Sequence, residues 1–175
     1  WGNGTNGLFG PSAGVTGAIV SSTNSLLGSA TGDMVGGGVN GGVYTLTNGN
    51  YVVASPEWST DKGAVTLGHG TSGLFGPTTA PSQIGVIDPN TSTGNSLTGN
   101  DLNAKIGTGV TPLTNGNYVL TSPLWGGGTG KVTWGDGTIG KFGPSPGVIG
   151  NSVSGTNSLG GSAGTDNVGS GGITA

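Results

Sequence analysis

Cysteine and arginine are absent from the 175 residues, histidine and methionine occur once each, and charged side chains make up 6% of the chain. Each shortage excludes a class of chemistry. Without Cys there are no disulfides, thiolate nucleophiles or Cys-based metal sites, although this does not settle the compartment. Four lysines against seven acids leave a net charge of −3. No basic patch exists for nucleic acid or an anionic membrane surface. No apolar run approaches the ~20 residues that span a bilayer, so membrane insertion is not expected, and no stretch has the form of a signal peptide. A sustained 3.6-residue apolar period is also missing, which leaves helix without support.

Glycine is abundant instead, with 42 residues. Together with Ser, Thr and Asn this composition fits a disordered linker, but the small residues recur at set places. "WGNGTNGLFGP" (1–11) returns as "LGHGTSGLFGP" (67–77) and "WGDGTIGKFGP" (134–144), at offsets of 66 and 67. "TLTNGNYVVASPEW" (45–58) returns as "PLTNGNYVLTSPLW" (112–125). A third phrase starts at Thr23, Gly94 and Thr156, at offsets of 71 and 62. The middle copy is preceded by a longer segment, "TTAPSQIGVIDPNTST", which reads as a surface-loop insertion. Fixed periods of this size mark a repeat architecture. The chain reads as one continuous array: 1–66 a partial first unit plus the start of a second, 67–133 a complete middle unit, 134–175 a partial third.

Each unit offers four short strands: the Val43–Leu46, Tyr51–Ala54 and Ala64–Leu67 types, then the Ser25–Leu27 type. The first two are joined by Asn48-Gly49, and in the next unit by Asn115-Gly116. Asn-Gly between apolar runs is a hairpin signal and predicts a type I′ turn with positive φ at both central residues. The fold class expected is all-β, with repeated four-stranded antiparallel units of about 62–67 residues arranged as β-propeller-like blades. A β-solenoid is the alternative.

The unit from Asn24 to Gly70 resembles the FG-GAP repeats of integrin α-subunit propellers and their bacterial relatives. Gly32-Asp33-Met34-Val35-Gly36 matches the turn motif of those repeats, Ala54-Ser55-Pro56 stands where Gly-Ala-Pro is usual, and Gly63-Ala64-Val65 matches the next strand start. The chain is also similar to Thr-Asn-Gly-Asn-Tyr-Val repeats in very large bacterial adhesin- or haemagglutinin-like surface proteins. These resemblances imply a propeller and an extracellular or bacterial cell-surface location. Many FG-GAP loops bind calcium through a carboxylate-rich segment. The corresponding loops here, Leu46–Tyr51 and Leu113–Tyr118, contain no acid, and calcium needs six to eight oxygen ligands. Asn48, Gly49, Asn115 and Gly116 therefore read as turn formers, and no cofactor or metal is expected.

Catalytic candidates are sparse. Asp33 and Asp166 share a repeat position, with Asp101 near it, which suits turn capping better than catalysis. His69, the sole His, is replaced by Asn3 and Asp136 in the other units, so a Ser-His-Asp arrangement has no support. The Gly2–Gly7 match to GxGxxG lacks a βαβ context. The aromatics say more. Phe9, Phe75 and Phe142, Tyr51 and Tyr118, Trp1 and Trp134 with Leu67 between them, and Trp58 and Trp125 recur at one position per unit, as packing between neighbouring units requires. Trp58 and Trp125, at strand ends beside loops, are equally candidates for stacking on sugar rings. The expected function is a non-enzymatic structural or adhesive repeat module of a bacterial extracellular surface protein or filament. Its expected partners are other copies or neighbouring repeats. The alternative is a lectin-like module that binds surface glycans.

Overall fold

The structure, a computed structural model, describes residues 1–11, 14, 16, 19–79 and 85–174. Its strands are β1 (Leu26–Leu27), β2 (Gly42–Thr45), β3 (Tyr51–Ser55), β4 (Ala64–Gly68), β5 (Gly85–Val86), β6 (Ser96–Thr98), β7 (Gly109–Pro112), β8 (Tyr118–Ser122), β9 (Lys131–Gly135), β10 (Asn151–Ser152) and β11 (Leu159–Gly160). The four-strand unit is realised twice. β2, β3, β4 and β6 pair antiparallel in that order to form the first sheet, and β7, β8, β9 and β11 do the same in the second. Pro112 is tolerated because β7 is an edge strand.

The fold is all-β with repeated antiparallel sheets, and neither sheet closes on itself. Two joins depart from a plain four-strand unit. β5 runs parallel to β1, and β10 runs parallel to β6. Each joining strand lies in the segment ahead of its own unit's fourth strand and pairs onto the fourth strand of the unit before. The longer segment preceding Gly94 is therefore not a plain surface loop. Its residues 80–84 lie outside the described residues, but Gly85 and Val86 are a strand, and Ile87 is 4% exposed beside Trp58.

A buried Asn holds each joining segment. Asn95 Oδ1 accepts from Asp88 N at 2.9 Å, and its Nδ2 donates to Val86 O at 3.1 Å. Asn157 repeats this with Ser154 N and Ser152 O, and Asn24 with Ser21 N and Ile19 O. The amide supplies both a donor and an acceptor to the backbone of the joining segment, and is itself satisfied as a buried polar group must be.

The Thr-Asn-Gly-Asn segments do reverse the chain, but not as type I′ turns. Leu46 N donates to Asn50 O, and Gly49 N donates to Leu46 O at 3.1 Å. Gly49 has φ +86° while Asn48 is not in the left-handed region. This is a three-residue loop, with a four-residue turn closed ahead of a left-handed Gly. The second hairpin is the same, with Gly116 at φ +86°.

After each Ser-Pro-x-Trp the chain makes one turn, α1 (Trp58–Asp61) and α2 (Trp125–Gly128), whose interior is left-handed. Ser59, Thr60 and Asp61 hold φ of 50°, 59° and 62°. The turn delivers backbone to the segment entering the next unit: Lys105 N donates to Asp61 O and Ile106 N to Lys62 O. Asn167 and Val168 repeat those bonds with Gly128 and Thr129.

Candidate functional site

Side chains alternate across a strand, so residues paired directly across a ladder share a face. On the first sheet Val52, Val65, Leu67 and Leu97 lie on one face, each 0% exposed. They pack in one cluster with Tyr118, Leu120 and Phe142 of the second unit. The two sheets therefore stack face to face, and the interface between units is the main core of the molecule. Burying each such side chain contributes ~1.5–3 kcal/mol. Separating the sheets would expose most of this apolar surface.

Tyr and Phe recur here as a built pair. Tyr118 and Phe142 meet edge to face at 6.4 Å and 84°, and Tyr51 and Phe75 at 6.4 Å and 89°, an arrangement the ring quadrupoles favour. Each Tyr lies across a strand-end Gly. A Cβ on Gly135 would fall into the Tyr118 ring, and one on Gly68 into the Tyr51 ring. Burial raises the Tyr118 phenol above its usual range, with Asp136 adding to the shift, and its OH has no hydrogen-bond partner. Tyr51, less enclosed, is pushed up by burial to about 12.

The hairpin loops stack as well. Asn48 Nδ2 donates to Gly137 O at 2.9 Å and Gly116 O at 3.4 Å, and Asn50 Nδ2 donates to Gly137 O at 2.8 Å. Thr47 Oγ1 reaches Thr114 O at 3.3 Å. Asn48 Oδ1 also accepts Asn50 N and so closes its own turn. The second residue-scale requirement is at Gly137, where a Cβ would overlap the Gly116 carbonyl. Asn48, Gly49, Asn115 and Gly116 lie in the hairpin loops, and Asn48 connects one unit to the next. Among the described residues no group of three or more His, Cys, Asp or Glu could hold a metal. No helix there is long and apolar enough to cross a membrane.

The polar candidates hold backbone. Asp33 Oδ2 accepts Ser29 N and Ala30 N, and its Oδ1 accepts Ser59 N at 2.9 Å. Burial pushes the Asp33 carboxyl up, but the Ser59, Ala30 and Ser29 donors outweigh it and leave it below its ordinary value. Asp166 repeats the turn through Ala163 and Ser162, which lower its pKa likewise. Asp101 does not share the position. Ala104 stands there, 1% exposed in the core. His69 is buried with Nε2 at 2.7 Å from Gly76 O.

The four tryptophans separate. Trp58 is 7% exposed, packed with Ala64 and Ile87. Trp125 is half-buried, with Lys131 Nζ 4.5 Å from its ring centroid and its Nε1 donating to Asn100 Oδ1. Trp1 lines an open cavity of about 570 Å³ on the first sheet's outer face, beside Val43, Tyr51 and Val53. Trp134 lines the opposite end, with Val119, Val132 and Leu159 on the second sheet's outer face. Thus Trp1 and Trp134 mark the two ends of the stack, while Trp58 and Trp125 do not meet in a shared site. The joining Asn residues carry one sequence signal, their recurrence before Ser-Leu in all three copies.

A family model described as a repeat of unknown function, DUF5650, matches residues 1–37, 45–108 and 112–170. No FG-GAP or integrin-like family is found. No curated protein and no solved structure matches.

Proposed function

The chain belongs to the DUF5650 repeat family, and from that premise we propose that it is a non-enzymatic structural module of a bacterial extracellular surface protein or filament. Its work is done by sheets that stack unit on unit, as blades of a propeller-like array. The observation that supports this reading most is the interface itself. Side chains from both units bury one sheet against the next, from Val52, Leu67 and Leu97 on one side to Tyr118, Leu120 and Phe142 on the other. The polar residues that recur, Asp33, Asp166, Asn95 and Asn157, are spent on holding turns and joins.

Native-state hydrogen exchange tests the structural part. Leu120→Ala should lower protection in β3 and β4 as much as in β8 and β9, because one core serves both. A first sheet that keeps full protection would sink the stacked-module reading. Antibody labelling of intact producing cells tests the location, and labelling only after lysis would count against it. The glycan reading has narrower support, since Trp58 is buried and leaves Trp125 alone. A glycan array on which Trp125→Ala abolishes a signal would favour it.

A further inference from the structure

The outer face of the first sheet carries a cavity whose walls repeat, one unit earlier, the surface that receives a hairpin inside the molecule. Val43, Tyr51, Val53 and Phe75 line it. One unit later stand Val110, Tyr118, Leu120 and Phe142, which the first sheet covers. Trp1 and Leu26 close the cavity from the side. They occupy the places that the ends of a third and a fourth strand would take, because Trp1 corresponds to Leu67 and Leu26 belongs to β1. The places of a first and second strand beside them stand open. Val43 is 60% exposed there.

We propose that this cavity is a docking site for a two-stranded hairpin of the chain's own kind, a strand–Leu-Thr-Asn-Gly-Asn–strand segment from another unit of the repeat. The occupant follows from continuity with the interface between the two sheets. There, the β2–β3 hairpin lies on the second unit and donates Asn48 and Asn50 amides to Gly116 O and Gly137 O, and the Thr47 hydroxyl to Thr114 O. The matching acceptors at the open end are Gly49 O, Gly70 O and Thr47 O, and among the described residues none of them accepts a hydrogen bond. Gly70 also preserves the close approach, since a Cβ on it would overlap the Gly49 carbonyl. A docked hairpin thus finds an apolar floor, a wall on the strand-three side, and carbonyls placed for its Asn amides. An unrelated apolar peptide would satisfy only the floor.

This inference rests on the stacked-module reading and names its partner. The test places a second copy of Gly42–Thr66 ahead of Trp1, so that the copied hairpin is tethered in register with the cavity. Compared with a graft of the same composition in scrambled order, the Tm should rise by roughly 5 °C or more, a shift of the size expected for one or two kcal/mol in a domain this large. Amides of β2 and β3 should gain exchange protection. Val43→Asp in the parent part of the chain should cancel the gain, and so should Asn→Ala at the two copied positions equivalent to Asn48 and Asn50. A true-order graft that gives no rise over the scrambled one overturns the docking site. A rise that survives both sets of substitutions overturns it too. Protection of β8 and β9, read in the same experiment, reports the internal interface. Its persistence would separate loss of this proposal from loss of the stacked-module reading.

Discussion

Thr60 and Ser59 sit at positive φ where the second unit places Gly126 and Gly127. A non-glycine residue there costs about 1–2 kcal/mol, more for a β-branched one. Thr60→Gly should therefore stabilise the protein by about 1 kcal/mol, read as a higher midpoint in denaturant, with an unchanged slope. Tyr118→Phe removes a hydroxyl that is buried without a partner. It should be neutral or slightly stabilising, whereas a Tyr118→Ala cavity should cost about 3–5 kcal/mol. Asp33 makes a pH prediction. An acid with a depressed folded-state pKa adds stability above its unfolded value and loses it as the pH falls through the folded value. Its contribution is whole above the ordinary 3.8 and drains below it. Asp33→Asn should flatten the loss of Tm as the pH falls below 3.8. That Asp33 and Asp166 serve turns was legible from their shared place in the repeat. That Ala104 rather than Asp101 holds this place in the middle unit was not, because the differing offsets blurred the alignment.

At the scale of the element, the hairpin is the informative piece. Asn-Gly between apolar runs announced a reversal, and a reversal is present. Its turn type differs because the closing pair Leu46–Asn50 leaves three residues in the loop, and a three-residue loop needs only one left-handed position. Asn48→Ala should cost about 1–2 kcal/mol, as Gly137 O loses one of its two amide donors and the turn loses its own acceptor bond. Gly137→Ala should be worse, since its Cβ would overlap the Gly116 carbonyl, while Gly171→Ala, with open space around it, should be close to neutral. Equilibrium denaturation of the three variants orders them. The joining strands β5 and β10 escaped the pattern because two-residue strands carry no periodicity. What holds them is the pairing edge of a preceding fourth strand and an Asn amide, both remote in sequence.

For the whole molecule, the relevant property is that its largest core lies between units rather than within one. A sheet one strand-layer thick has no second layer of its own to bury against. Unfolding should accordingly be a single transition for both sheets, and the exchange pattern after Leu120→Ala should spread over each of them. Excess calcium or chelator should leave the Tm unchanged, because the loops at Leu46–Tyr51 and Leu113–Tyr118 offer no carboxylate. The two ends of the stack differ in kind. One presents Val43 and Tyr51, the other Trp134 and Leu159.

The amino-acid sequence alone determined the repeat, the all-β class and the four-strand unit; of the aromatics expected to pack between units, Phe142 is sealed while Phe9, at the same repeat position, is 56% exposed. The repeat, the class and the unit are local patterns, and period, turn chemistry and recurrence all survive in one dimension. Tertiary structure decided which of the recurring residues face a neighbour. Val52 and Val119 occupy the same place in the repeat, yet the first is sealed in the interface while the second lines an open face. Burial belongs to what lies across from a residue, and a repeated sequence writes the same residue whether or not a neighbour is there to cover it.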